Sequence, residues 1–131
     1  MMSYRILLVS QDRWLVDRVR SVLENAGFET EIALTGAVGA SVAFDRRVDL
    51  LLADEAVEDF GNVAKIKDPA APTYRLPAVV IAADSEPVKD EVGRLIPFAV
   101  FPRDFDEKKL VAKLNRALEF GEKLKRKRVV A

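Results

Sequence analysis

The chain has 131 residues, half of them hydrophobic, which suits one compact domain with its own core and leaves no room for a second. It contains no cysteine and no histidine, so disulfides, thiolate metal sites, imidazole bases and phosphohistidine are excluded. Its 21 basic and 21 acidic residues cancel, which gives the whole molecule no electrostatic pull toward nucleic acid or lipid.

In chain order, short apolar runs alternate with amphipathic stretches. The amino terminus MMSYRILLVSQD carries a four-residue apolar core, too short for a secretory signal or a membrane span, so a cytoplasmic location is expected. Residues 5–9 (RILLV) read as a strand buried on both faces. Leu15, Val19, Val22, Leu23 and Ala26 then recur at helical spacing and stop at Gly27. Residues 28–34 (FETEIAL) alternate, as an edge strand does, and residues 38–44 are helical in pattern. Residues 49–52 (DLLL) lead to Asp54, and a short helix is expected over 62–67.

The segment 68–76 (DPAAPTYRL), with two prolines, is expected to be the most flexible connection. Residues 77–83 (PAVVIAA) and 98–101 (FAVF) complete the set of buried strands, with a short helix at 87–95 between them. Leu110, Leu114, Ala117 and Leu118 mark a last helix, and the basic tail 121–131 reads as a linker or an extension of it. The crowding of Lys123, Lys125, Arg126, Lys127 and Arg128 suits a helix C-terminus better than a nucleic-acid patch, since no aromatics are interleaved. Five strands alternating with five helices imply an α/β fold: a doubly wound, five-stranded parallel sheet in a flavodoxin-like three-layer sandwich.

Such sheets collect ligands at the carboxyl edge of their strands, where Asp54 falls. No G-x-x-x-x-G-K-S/T loop and no G-x-G-x-x-G turn is present, and Ser10-Gln11-Asp12-Arg13-Trp14 lacks the glycines or hydroxyl cluster that cradle a flavin phosphate. Glu55, Glu58 and Asp59 read as acidic residues of a solvated loop, with a displaced metal site as the sharper alternative. Trp14 is equally compatible with a binding surface and with an ordinary exposed aromatic, while Phe101 and Phe105 are expected to pack the end of the last strand and the start of its helix.

RILLVSQD, the helix ending in ENAGFE, VDLLLAD with Gly61 beyond it, LPAVVIAAD and FPRDFDEKKL together resemble the receiver domain of two-component response regulators, over residues 1–120. The resemblance implies that Asp54 is the candidate phosphoacceptor for a histidine kinase. It also implies an acid pair for Mg²⁺ after the first strand, a hydroxyl ending the fourth and a lysine followed by proline ending the fifth.

Position by position, the acid pair falls on Ser10 and Gln11, with Asp12 one place late, leaving Asp54 and Asp12 as a weak metal set. The hydroxyl falls on Ala82, the lysine on Arg103, the proline on Asp104 and the aromatic switch on Val100. The expectation is therefore a degenerate, pseudo-receiver type: not an enzyme, with no cofactor, acting as an interaction module in bacterial signalling. A kinase or effector would bind through the fourth helix, fifth strand and fifth helix, with no membrane or nucleic acid involved. A working receiver, using Mg²⁺ and phosphorylated on Asp54, is the alternative. Without a divalent ion, Arg103 is expected to pair with Asp54.

Overall fold

The computed structural model describes residues 3–83 and 89–130, with side chains as far as residue 123. Its elements are β1 (Arg5–Val9), α1 (Arg13–Asn25), β2 (Glu29–Ala33), α2 (Gly36–Asp45), β3 (Leu50–Asp54), α3 (Phe60–Ala64), β4 (Ala78–Ala82), α4 (Glu91–Arg94), β5 (Ala99–Pro102) and α5 (Glu107–Val130). The strands form one parallel sheet, as the alternation of patterns predicts, and their order is β2-β1-β3-β4-β5.

Strand side chains alternate between two cores. Ile6, Leu8, Leu50, Leu52, Val79 and Ile81 face α1 and α5, packing on Leu15, Val19, Leu110 and Leu114. Leu7, Val9, Leu51, Ala53 and Val80 face the other way, against α2, α3 and α4. Helices on both sides explain why β1, β3 and β4 are continuous apolar runs. Each large aliphatic side chain buried this way contributes about 1.5–3 kcal/mol.

Helix α1 starts at Asp12, whose side chain accepts from the Leu15 amide at 3.2 Å. It ends at Gly27, whose φ of 88° favours glycine, and the Phe28 amide closes back on the Leu23 carbonyl at 3.0 Å. Helix α2 lies close on β1 through Gly39, where an added Cβ would stand 2.7 Å from a Val9 methyl.

One expectation changes. The strand at 98–101 is not buried on both faces: β5 is the second edge of the sheet and all four of its residues are half-buried. The connection at 68–76 is a series of tight turns, tied by the Thr73 hydroxyl to the Ile66 carbonyl and by the Lys67 ammonium to the Leu76 carbonyl, each at 2.5 Å. Of the helix expected at 87–95, residues 87–88 lie outside the described residues, as do the basic side chains at 125–128.

Candidate functional site

The carboxyl edge of the sheet brings together the ends of β1, β3 and β5. Ser10 follows β1, and its amide donates to the Ala33 carbonyl at 3.0 Å, which fixes its position. Asp54 is the last residue of β3 and is buried, with 1% of its surface exposed. Arg103 follows β5 directly.

These groups form one polar network. The Ser10 hydroxyl donates to Asp54 Oδ2 at 2.7 Å. Arg103 Nη1 donates to Asp54 Oδ1 at 2.8 Å, and the Ala56 amide donates to the same oxygen at 2.9 Å. The other arm of the guanidinium, Nη2, is paired with Asp12 Oδ2. Asp12 Oδ1 serves as the α1 cap, and the Asp12 amide donates to the Ser10 hydroxyl oxygen at 3.1 Å. Arg103 thus bridges the two carboxylates that the sequence offered as a metal set, and its expected pairing with Asp54 is present.

The charge states follow the geometry. Burial works against a charged Arg103, but Asp54 and Asp12 outweigh it and raise the guanidinium pKa above its ordinary value. The Leu15 amide hydrogen bond, opposed by burial and joined by Arg103, holds the Asp12 carboxyl below its ordinary 3.8.

Arg103 is itself held in place. Arg18 on α1 donates to the Arg103 carbonyl at 3.0 Å and to the Phe105 carbonyl at 2.7 Å. Its guanidinium lies 4.1 Å from the Phe105 ring centroid and 5.7 Å from that of Trp14, which is 65% exposed. Phe105 is buried in the core and Phe101 packs against it, as expected.

Other sequence candidates fall outside the network. Gln11 is exposed, and Ala82 is buried at the end of β4 with no polar side-chain atom to offer. Val100 packs into the core on the α2 side. The solvated acidic loop is a correction: only Glu58 is exposed. Glu55 is buried and accepts from the Lys89 amide at 2.8 Å. Asp59 accepts from the Gly36 and Ala37 amides at 2.7 and 2.8 Å, capping α2 from a neighbouring element. The role of Ser10 as a donor to Asp54 and that of Arg18 as a clamp on the Arg103 loop have no sequence signal beyond the residue types themselves.

Mg²⁺ needs six oxygens in near-octahedral array, usually including one or two carboxylates. Both oxygens of Asp54 and both of Asp12 already accept hydrogen bonds, and a tethered cation stands between the two groups. A unit-charge contact is worth about 4 kcal/mol at an effective dielectric near 20. The Asp12 contact is worth less, because that side chain is 40% exposed and screened. The residues in this arrangement do not fit the metal.

No family model matches the chain. Solved structures match it closely in shape. A CheY-like response regulator receiver domain protein from Methanospirillum hungatei superposes with a TM-score of 0.79 at 20% identity, covering 93% of this chain and 98% of that one. The receiver domain of a sensor histidine kinase from Pseudomonas aeruginosa, with magnesium coordinated in its active-site cleft, gives a TM-score of 0.77 at 17% identity, over 90% and 99% of the two chains. The chain has the receiver-domain fold. In sequence it is 27% identical over 115 residues to the transcriptional regulatory protein CpxR of Klebsiella pneumoniae, covering 87% of this chain. It spans about half of that relative, 49% of its length. Among the described residues of this receiver-like fold, no helix is long and apolar enough to cross a membrane.

Proposed function

We propose that the chain is a pseudo-receiver: a cytoplasmic, non-enzymatic interaction module of bacterial two-component signalling whose phosphoacceptor pocket is closed by an internal cation. The observation that carries this reading is the Arg103 guanidinium bridging Asp12 and Asp54. In phosphoryl transfer to a carboxylate, the protein supplies mainly positioning and stabilisation of charge on the moving oxygens. Here the attacking oxygens are engaged, Ser10 and Gln11 replace the acid pair, and Ala82 has no hydroxyl for a phosphoryl oxygen. The partner is a histidine kinase or effector, and the face made by α4, β5 and α5 is the surface this reading assigns to it.

Working phosphoacceptor chemistry at Asp54 is the second reading, favoured by the position of that residue at the end of β3. A Mg²⁺ titration followed by Trp14 fluorescence separates them. Trp14 lies over Arg18, which holds the Arg103 loop, so a metal that displaces Arg103 from Asp54 changes the indole's surroundings. A pseudo-receiver gives a flat titration up to millimolar Mg²⁺, and a saturable change overturns it.

A further inference from the structure

The amino edge of the sheet, opposite Asp54, carries a second set of unusual features. Ile96, between α4 and β5, has a φ of 47° and is the one non-glycine residue with positive φ among the described residues. A β-branched residue seldom holds this left-handed conformation, which glycine adopts freely. Burial does not compensate, since Ile96 is 62% exposed. Ile96 stands just past the end of α4, where glycine is the usual left-handed residue, and its amide closes on the Gly93 carbonyl at 3.1 Å, which leaves its aliphatic side chain out on the surface.

Ile96, Lys67 and Tyr74 together line two adjoining hollows. One is walled by Phe98 and Phe120, whose ring centroids are 5.8 Å apart and which are 38% and 49% exposed. The other runs out to Lys65 and Arg94, while Arg75 opens onto the first. The charge along the groove is one-sided. Lys65, Arg75 and Arg94 are exposed and make no ion pair among the described residues, and the acid that lines it, Asp68, accepts from the Ala70 amide.

Lys67 is more telling. It is buried, 7% exposed, its ammonium donates to the Leu76 carbonyl, and no acidic side chain pairs with it among the described residues. Burial pushes its pKa down. A desolvated ammonium with three donors and one carbonyl partner is incompletely matched.

We propose that this groove docks a segment of a partner protein in which apolar side chains are flanked by Asp or Glu, with Ile96 as the central apolar contact and Lys67 meeting one carboxylate. The inference rests on the interaction-module reading and supplies the chemistry of the partner. Charge complementarity selects an acidic segment over a basic one, and the exposed Ile96, Phe98 and Phe120 require apolar anchors on it.

The test is selection of a random peptide library displayed on phage against the folded chain, with Ile96→Gly and Lys67→Met variants in parallel. Glycine relieves the left-handed strain, and methionine removes a poorly matched buried charge at similar length. Ile96→Gly is therefore expected to melt at or above the parent's temperature and Lys67→Met, which gives up the bond to the Leu76 carbonyl, to stay folded with a lower melting temperature, and both are expected to bind the selected peptides at least about tenfold more weakly. The expected peptides carry apolar residues beside Asp or Glu. The proposal is overturned by no enrichment, by peptides without acids, or by peptides that bind the variants as tightly as the parent. Variants that unfold overturn it as well, because they assign both residues to the fold. Phosphorylation of Asp54 would overturn the closed-pocket reading and leave these outcomes as they are.

Discussion

Replacing Arg103 with Met removes the guanidinium that bridges Asp12 and Asp54 while keeping most of its aliphatic length. Asp54 is then left buried with only the Ser10 hydroxyl and the Ala56 amide as partners. Removing one member of a buried pair is expensive because the other charge is stranded, so a loss of about 2–3 kcal/mol in urea unfolding is expected. The double variant Asp54→Asn plus Arg103→Met should recover at least about half of it, because the stranded charge is gone. Losses that simply add would show that the two side chains are not coupled. At this scale the sequence revealed positions better than roles. Asp54 and Arg103 were legible because each ends or follows a strand at the sheet's carboxyl edge. The bonds of Ser10 and Asp12 depend on loop backbone conformation and rotamers, on which periodicity is silent. Ile96 was invisible for the same reason, since a left-handed φ at isoleucine contradicts the residue's own preference.

Helix α2 depends on an acid outside it. The Asp59 carboxylate receives the Gly36 and Ala37 amides and the Asn62 side-chain amide, and these bonds, led by that of Gly36, lower its pKa below the ordinary 3.8. Gly36 is required there, as an added Cβ would stand 2.3 Å from the Asp59 carbonyl oxygen. Asp59→Ala is expected to cost about 1–2 kcal/mol at neutral pH. A folded pKa below the unfolded one means that the carboxylate's stabilisation is fully present above 3.8 and is lost as pH falls through the lower, folded value. The gap between parent and variant in urea unfolding should therefore be wide at pH 6 and narrow progressively below pH 3.8. A gap that holds constant into strong acid contradicts the charge-based account. The elements themselves were readable where burial is two-sided or the helical stripe is long, as in β1, β3, β4 and α1. The edge position of β5 was not, because FAVF has the same pattern as a central strand and only topology distinguishes them. The turns of 68–76 were not legible, because their ties run from the Thr73 hydroxyl and the buried Lys67 ammonium, neither of which has a periodic signature.

For the molecule as a whole, fold and chemistry separate. The order of apolar runs sets a receiver-like sheet, and three loop ends decide what its carboxyl edge can do. If signalling runs through surface contacts, Asp54→Asn should preserve partner binding to within about twofold, a change of under about 0.5 kcal/mol. Pull-down or calorimetry with a partner, on a variant shown to be folded, checks this. Loss of binding in such a variant would return the carboxylate to the centre of the function.

Calorimetric Mg²⁺ binding together with intact-mass detection of phosphorylation by a small acyl phosphate tests the closed pocket most directly. The parent is measured beside a variant carrying Ser10→Asp, Gln11→Asp, Ala82→Thr and Arg103→Lys. Those changes supply the acid pair and the hydroxyl and replace the bridging fork with a single ammonium. The account predicts no binding heat and no phosphoryl mass for the parent, with both appearing in the variant. A parent that binds Mg²⁺ and gains a phosphoryl group on Asp54 would contradict it.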